Sequence, residues 1–232
     1  MSLRTLFHFA VAAHYWFGCW YDWNYVVIPK RVHNMGESFG FSGKFKFLTY
    51  WNACLQSMFF TICFLNDIIG TNENIPKKTP WIRKLKDTIL CTLAFPISMF
   101  VGLSFWGIYL LDRELIFPKA ISPYFPHWLN HLMHTHIMVT ILIEMCLSCC
   151  RYPSRKRGLT ILSTVMVSYL IWLLVIYYYN GFWVYPVLTV LNVPLKAVFF
   201  LGNLGISVML YILGEKINNA LWDNTFKNAK KA

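Results

Sequence analysis

Six long apolar stretches, separated by short polar segments, constrain this chain more than any other feature of its sequence. They cover residues 3–21, 47–69, 88–111, 128–150, 159–179 and 193–213. Each approaches the ~20 residues that a helix needs to cross the hydrocarbon core of a bilayer. The sequence therefore predicts an all-α, polytopic membrane bundle of about six transmembrane helices, which forms a single domain over residues 1–232.

The composition argues against a soluble globular protein. Hydrophobic residues make up 57% of the chain and charged residues only 13%, whereas soluble domains carry about 25% charged residues. A net charge of +11 would suggest nucleic-acid binding in a soluble protein. Here the Lys and Arg residues cluster between the apolar stretches, so we expect contact with membrane lipids and no nucleic-acid partner.

The distribution of Lys and Arg also predicts the orientation in the membrane. With six crossings, 14 basic residues fall on the side that holds both termini and 7 fall on the other side. Because basic residues are enriched in cytoplasmic loops, both termini are expected in the cytoplasm. The sequence favours neither the endoplasmic reticulum nor the plasma membrane, and it leaves the oligomeric state open.

Polar residues at the start of the fourth apolar stretch form its most informative motif. Asn130, His131 and His134 lie within a few residues of one another, directly before a long apolar run. Polar and ionisable groups inside a membrane are costly unless they face a cavity or each other. This segment is therefore the first candidate for a functional site.

Metal binding is one interpretation of this motif. His127, His131 and His134 are spaced i, i+4, i+7, which places three imidazoles on one face of a regular helix. The whole chain has only seven histidines and no H-E-x-x-H motif, which is too few for the histidine boxes of membrane desaturases. We expect no metal and no cofactor.

Nucleophilic catalysis is a second interpretation, with His134 as the natural base for a Ser, Thr or Cys side chain. Thr49 is one option among several, and it shares a helix face with Asn52 and Gln56. In the predicted topology Thr49 and His134 lie at similar shallow depth on the same side of the membrane. The residues alone leave open whether these polar faces catalyse a reaction or hold helices together.

Other ionisable residues within the apolar stretches are expected to be structural. Glu144 lies deeper in the fourth stretch on a different face from His134, so we expect it to form a pair within the bundle. His8 and His14 are expected to pack between helices, and Asp67 to lie at the membrane interface.

Three cysteines end the fourth stretch, directly before Arg151. Cys146, Cys149 and Cys150 occupy a position suited to S-palmitoylation. The alternative is that they serve only as small apolar residues.

Seven short motifs, in order and at compatible spacing, carry a resemblance to a known family over nearly the whole chain. They are residues 46–49 (KFLT), 93–96 (LAFP), 112–119 (DRELIFPK), 128–135 (WLNHLMHT), 152–160 (YPS and GLT), 183–186 (WVYP) and 213–215 (LGE). On these motifs the chain resembles the androgen-induced protein family.

The resemblance implies a multi-pass membrane enzyme that hydrolyses fatty acid esters of hydroxy fatty acids. It matches the family's nucleophile to Thr49 and its histidine partner to His134. The oxyanion or orienting groups are open among Asn52, Asn130 and His131. The implied partner is a lipid ester from the bilayer. The alternative is a non-enzymatic membrane regulator that binds a protein partner and whose polar face is structural.

Overall fold

The computed structural model describes residues 2–29 and 43–229. Residues 1, 30–42 and 230–232 lie outside this description. All regular structure in the described residues is helical, which confirms the all-α prediction. The α-helices are α1 (Leu3–Tyr25), α2 (Leu48–Ile69), α3 (Trp81–Ile89), α4 (Phe95–Leu111), α5 (His127–His131), α6 (Ile137–Leu147), α7 (Arg155–Asn180), α8 (Val187–Val190) and α9 (Val193–Ala229).

Two pairs of consecutive helices are joined without a break by a π turn. Residues Leu90–Ala94 join α3 to α4, and residues Leu132–His136 join α5 to α6. A 3₁₀ turn, Gly43–Lys46, leads into α2. Helix α7 ends at Gly181, whose φ of 71° places it in the left-handed region that glycine adopts without strain.

The helices pack into one bundle. Helix α1 runs along α2, and α4 contacts α2, α6 and α9. Helix α7 packs against α9. Large apolar side chains nonetheless remain on the outside of the bundle, among them Leu110, Leu111, Tyr178, Val198 and Leu201. An apolar exterior of this kind suits a lipid environment.

Four helices in the described part of the chain are long and apolar enough to cross a membrane. They are Leu48–Ile69, Trp81–Leu111, Arg155–Asn180 and Val193–Asn228. The predicted spans at residues 3–21 and 128–150 coincide with helical segments that are not among these four. The total of six crossings and the cytoplasmic termini therefore stay predictions.

Two helix boundaries differ from the sequence prediction because buried tertiary contacts hold charged segments in helices. Helix α3 begins at Trp81, inside the predicted loop of residues 70–87, and the side chains of Arg83 and Lys86 are buried there in ion pairs. Helix α9 continues beyond the predicted end at residue 213. Asn218 is buried and donates to the carbonyl of Cys150.

Gly214 is a packing position within α9. A Cβ at Gly214 would approach the ring of Phe95 to 2.6 Å and the hydroxyl of Tyr152 to 2.7 Å. The absence of a side chain therefore brings α9 close to its neighbours, and the helix continues through this glycine.

Candidate active site

Thr49 and His134 lie next to each other, although 85 residues separate them in the chain. The Thr49 hydroxyl oxygen is 3.4 Å from Nε2 of His134. Thr49 is in the first turn of α2, and His134 is in the π turn between α5 and α6. The two residues that the family resemblance implies as nucleophile and base are thus brought together.

The hydrogen bond made by Nδ1 of His134 sets the tautomer of this ring. Nδ1 is 2.9 Å from the carbonyl oxygen of Asn130, and a carbonyl can only accept, so Nδ1 carries the proton. In the neutral ring, Nε2 is then an acceptor that faces the Thr49 hydroxyl. This arrangement suits a general base.

Packing fixes the plane of the His134 ring. The ring stacks on Phe105 of α4, with 3.6 Å between centroids and 12° between planes. His134 is 6% exposed. Its orientation is therefore held by a hydrogen bond on one side and an aromatic ring on the other.

The π turn changes which histidines share a face. His134 is buried, whereas His127 and His131 are exposed. The ring of His131 stacks on Trp106, with 5.6 Å between the ring centroids. The expected face of three imidazoles is therefore absent from the described structure. It was based on the period of a regular helix, and a π turn widens that period.

Two tyrosines hold the chain directly before Thr49. The backbone N–H of Leu48 faces the hydroxyls of Tyr169 and Tyr185, at 2.9 and 3.1 Å. The Tyr169 hydroxyl also lies 2.9 Å from the carbonyl of Lys46, to which it donates. Residues of α7 and of the segment before α8 thus position the start of α2, and with it Thr49.

Thr49 and His134 face a cavity of about 170 Å³. Most of its walls are apolar, including side chains from α4, from the segment after α4 and from the π turn between α5 and α6. Asn130 also lines it, is 6% exposed, and its side-chain oxygen has no hydrogen-bond partner among the described residues. Because the O and N positions of an amide can be exchanged by a flip, this buried side chain can offer either group to a ligand in the cavity.

Asn130 is the one of the three orienting candidates that the structure brings to the cavity. The side-chain oxygen of Asn52 accepts from Gln56 at 3.2 Å and from Ser98 at 3.3 Å. Neither Asn52 nor His131 is among the described residues lining this cavity. Asn52 therefore serves helix packing, as the structural interpretation of its stripe suggested.

Lys46 is a cavity residue that sequence reasoning missed. Its side chain is buried, at 4% exposure, and it lines the same cavity as Thr49 and His134. The one signal in the sequence was a lysine directly between a glycine-rich loop and an apolar stretch. Such lysines are common at membrane interfaces, where they reach toward water, so sequence alone did not single it out.

A second buried polar cluster lies away from this cavity. The two ring nitrogens of His8 contact carboxylate oxygens of Asp67 at 2.7 Å and Glu144 at 2.8 Å. Lys86 lies 3.4 Å from the other oxygen of Glu144. The expected pairing of Glu144 within the bundle is confirmed. The side chain of Asp67 is 1% exposed and takes part in this structural network, and its place at the membrane interface stays a prediction.

This cluster contains the group of potential metal ligands found in the described residues. Donor atoms of His8, Cys63 and Glu144 lie within 4.8 Å of one another. However, both nitrogens of His8 already face carboxylates, and the Lys86 ammonium occupies the remaining side of Glu144. An ammonium beside the shared carboxylate disfavours a cation there, so the cluster is better described as an ion-pair network.

The three cysteines at the end of α6 differ in accessibility. Cys146 is exposed, whereas Cys149 and Cys150 are 3% and 2% exposed. The Cys150 sulfur lies 3.4 Å from that of Cys91. Cys149 and Cys150 therefore match the small apolar role, and of the three only Cys146 is accessible to S-palmitoylation.

Comparisons with known proteins cover most of the chain. A family model described as FAR-17a/AIG1-like protein matches residues 3–219. The androgen-induced gene 1 protein of Homo sapiens is 39% identical over 206 residues, which cover 86% of this chain and 84% of the relative. The androgen-dependent TFPI-regulating protein of Mesocricetus auratus is 39% identical over 215 residues, covering 91% and 92%.

A more distant relative supports the membrane assignment. A protein of Schizosaccharomyces pombe, 26% identical over 181 residues that cover 77% of this chain and 76% of its own, is named as a membrane protein. No solved structure matches the chain. Together with the four long apolar helices, these findings identify a membrane protein with transmembrane helices.

Proposed function

Because this chain belongs to the FAR-17a/AIG1-like protein family, we propose that it is an integral-membrane hydrolase of lipid esters. Its substrates are fatty acid esters of hydroxy fatty acids, the class that the motif resemblance implies. The observation that carries the proposal is the 3.4 Å approach of the Thr49 hydroxyl to the unprotonated Nε2 of His134 at the wall of an apolar cavity.

The first half of the reaction forms an acyl-enzyme. His134 Nε2 takes the proton of the Thr49 hydroxyl as its oxygen attacks the ester carbonyl. The tetrahedral intermediate collapses, the bond to the alkoxy oxygen breaks, and His134 returns the proton to that oxygen. A hydroxy fatty acid leaves, and the fatty acyl group remains on Thr49.

The second half releases the fatty acid. His134 takes a proton from a water molecule, whose oxygen attacks the acyl carbonyl, and the proton then returns to Thr49 as the acyl bond breaks. The Asn130 side chain lines the cavity, and the amide position built as oxygen has no partner among the described residues. With the amide flipped, its NH₂ group can donate from that position to the developing oxyanion. A separation of 3.4 Å in the free protein is compatible with a shorter hydrogen bond once substrate is bound.

A second cavity supports a branched substrate. It measures about 160 Å³ and lies between α4, α7 and α9. The two cavities share wall residues from several elements, which are Leu48, Phe100, Ser104, Ile116 and Tyr185. An ester whose two hydrocarbon arms diverge at the reacting carbonyl can place one arm in each cavity, with the remaining length in the surrounding lipid.

The proposed topology has six crossings with both termini in the cytoplasm, in either the endoplasmic reticulum or the plasma membrane. It is supported by the excess of Lys and Arg on the side of the termini. In this topology the start of α2 and the start of α5 both lie on the non-cytoplasmic side. The shallow depth suits a reaction that needs a lipid and a water molecule.

Purified protein in detergent and lipid tests the proposal directly. Wild type is expected to release fatty acid and hydroxy fatty acid from the palmitoyl ester of a hydroxystearic acid, as measured by mass spectrometry. Thr49→Ala and His134→Ala should each lower kcat by at least about a thousandfold while the unfolding temperature stays close to that of wild type. Absence of Thr49-dependent cleavage would favour the alternative, a non-enzymatic membrane regulator.

A further inference from the structure

The ammonium of Lys46 is a buried charge that has no carboxylate partner within the part of the chain that the structure describes. The side chain is 4% exposed, and no ion pair joins it to an acidic group among the described residues. Its neighbours are two aromatic rings, with Nζ 5.4 Å from the ring centroid of Phe47 and 6.0 Å from that of Phe182. Cation–π contacts offset only part of the cost of removing an ammonium from water.

Lys44, in the same 3₁₀ turn, is a charged residue with a structural role. Lys44 Nζ donates to Asp22 at 2.9 Å and to the carbonyl of Val26 at 2.8 Å. Lys44 therefore joins the 3₁₀ turn to α1 by a paired charge. Lys46 has no such contact among the described residues, although both lysines line the same cavity.

The lowered pKa of Lys46 is consistent with a buried ammonium that can bind an anion. Burial, reinforced by the positive charge of Lys44, lowers the pKa of Lys46 to about 8. The side chain is still mainly protonated at neutral pH, so the charge is present where the cavity must bind its ligand.

We propose that Lys46 binds the free carboxylate of the substrate and thereby selects lipid esters that carry an acid group over neutral esters. The assignment rests on the proposed function, because it places the carboxylate in the cavity that holds Thr49 and His134. A carboxylate pairs with an ammonium at the wall of an apolar cavity and adds no bulky headgroup.

The position of Lys46 explains how one end of a lipid can be fixed while its ester is cleaved. Tyr169 donates to the backbone carbonyl of Lys46, and Tyr185 contacts Leu48, two residues further along the chain. The same two tyrosines therefore hold the carboxylate anchor and the start of the helix that carries Thr49. The fold therefore fixes the spacing between Lys46 and Thr49 before any substrate binds.

The test compares an ester that has a free acid with the same ester after methylation of that acid. The substrates are the palmitoyl ester of a hydroxystearic acid and its methyl ester, and the proteins are wild type, Lys46→Met and Lys46→Arg. Lys46→Met should raise KM for the acid roughly 30-fold, the cost of losing a charge-assisted contact. Its KM for the methyl ester should change less than about threefold, and Lys46→Arg should restore acid binding at least in part.

A purely structural role for Lys46 predicts that Lys46→Met lowers the unfolding temperature. The proposal predicts the opposite. Because a buried charge without a carboxylate partner among the described residues destabilises the free protein, Lys46→Met should unfold at the same temperature as wild type or higher. Equal losses on the acid and the methyl ester, or a wild type that cleaves both equally and is unchanged by Lys46→Met, would overturn the proposal while leaving the hydrolase intact.

A binding measurement separates this inference from the failure of the hydrolase itself. If no Thr49-dependent cleavage of either ester occurs, the proposed function fails, and radiolabelled hydroxystearic acid is then titrated onto wild type and Lys46→Met. Binding that methylation of the ligand or Lys46→Met weakens by a similar factor supports a carboxylate site at Lys46. Binding that is unaffected by either change rejects it.

Discussion

The Thr49 hydroxyl lies 3.4 Å from Nε2 of His134, and the carbonyl of Asn130 holds the opposite nitrogen of that ring at 2.9 Å. Because Nδ1 donates its proton to the Asn130 carbonyl, Nε2 carries no proton in the neutral ring and accepts from the Thr49 hydroxyl. A π turn supplies this geometry by exposing His131 and burying His134. Wide turns of this type often occur at functional sites.

Asn130 is expected to act on the chemical step. Replacing Asn130 by Leu should lower kcat by about 10²–10³-fold with a small change in KM, as the loss of an oxyanion donor does. The measurement is steady-state hydrolysis of the acid ester by purified variants.

Asn52→Leu is the matched control for Asn130→Leu. It should mainly lower the unfolding temperature, because Gln56 and Ser98 lose their shared acceptor. A kcat that falls more in Asn52→Leu than in Asn130→Leu would contradict the assignment of the donor.

The helical class and the main long helices are predictable from the sequence, because a long apolar segment in a membrane forms a helix unless it belongs to a closed barrel. The sequence prediction missed the start of α3 at Trp81 and the extension of α9 to Ala229. Both segments are charged or polar, and they become helical because partners far along the chain pair with them. Single-sequence patterns carry no information about such partners.

The candidate site was predicted in part. Motif resemblance named Thr49 and His134, whereas composition and spacing left several nucleophiles open. Spacing also predicted one face for His131 and His134, and the π turn separates them. The choice of Asn130 over Asn52 depends on which side chain lines the cavity that holds Thr49 and His134, which only the packed structure reveals.

Glu144 is expected to be a stability residue. Glu144→Gln leaves the buried Lys86 ammonium and the His8 ring without the carboxylate that they share, which should cost about 3–5 kcal/mol of unfolding free energy. Thermal unfolding followed by Trp fluorescence measures the loss.

The ion pair of the exposed Arg155 with the partly buried Glu215 provides the comparison for Glu144. The Arg155 side chain is 64% exposed, so Arg155→Ala should cost no more than about 1 kcal/mol. Similar losses in Arg155→Ala and Glu144→Gln would show that the buried network does not carry the stability assigned to it.

Two glycines of α9 test the close approach of that helix. Gly214→Ala should destabilise the protein by about 1–3 kcal/mol, because the new Cβ would press on the ring of Phe95. A Cβ at Gly202 would meet no described atom within 4 Å, so Gly202→Ala should be neutral or stabilise the helix by up to about 1 kcal/mol. Equal unfolding temperatures for the two variants would contradict the packing of α9 at Gly214.

The pKa of Lys46 predicts how pH affects substrate choice. Below pH 8 the ammonium is charged, and above it the charge is lost. The ratio of KM for the acid ester to KM for its methyl ester should therefore be flat near pH 7 and rise about tenfold by one pH unit above 8. Using a ratio cancels the titration of groups that affect both esters.

Several charged or titratable groups around Lys46 enter this pH prediction. They are Lys44 on the same turn, Asp22 of α1, Tyr169 of α7, Tyr185 before α8 and His134 across the cavity. Lys46→Arg keeps its charge at high pH and should remove the rise in the ratio. A rise of the same size in Lys46→Arg would assign the titration to one of the other groups.

Covalent labelling of the nucleophile tests the central claim most directly. Membranes that contain wild type, Thr49→Ser or Thr49→Ala are treated with a fluorescent fluorophosphonate, which reacts with activated hydroxyl groups. The proposed mechanism predicts labelling of wild type and Thr49→Ser, and none of Thr49→Ala at equal expression. Equal labelling of wild type and Thr49→Ala would contradict it, because the activated hydroxyl would then belong to another residue.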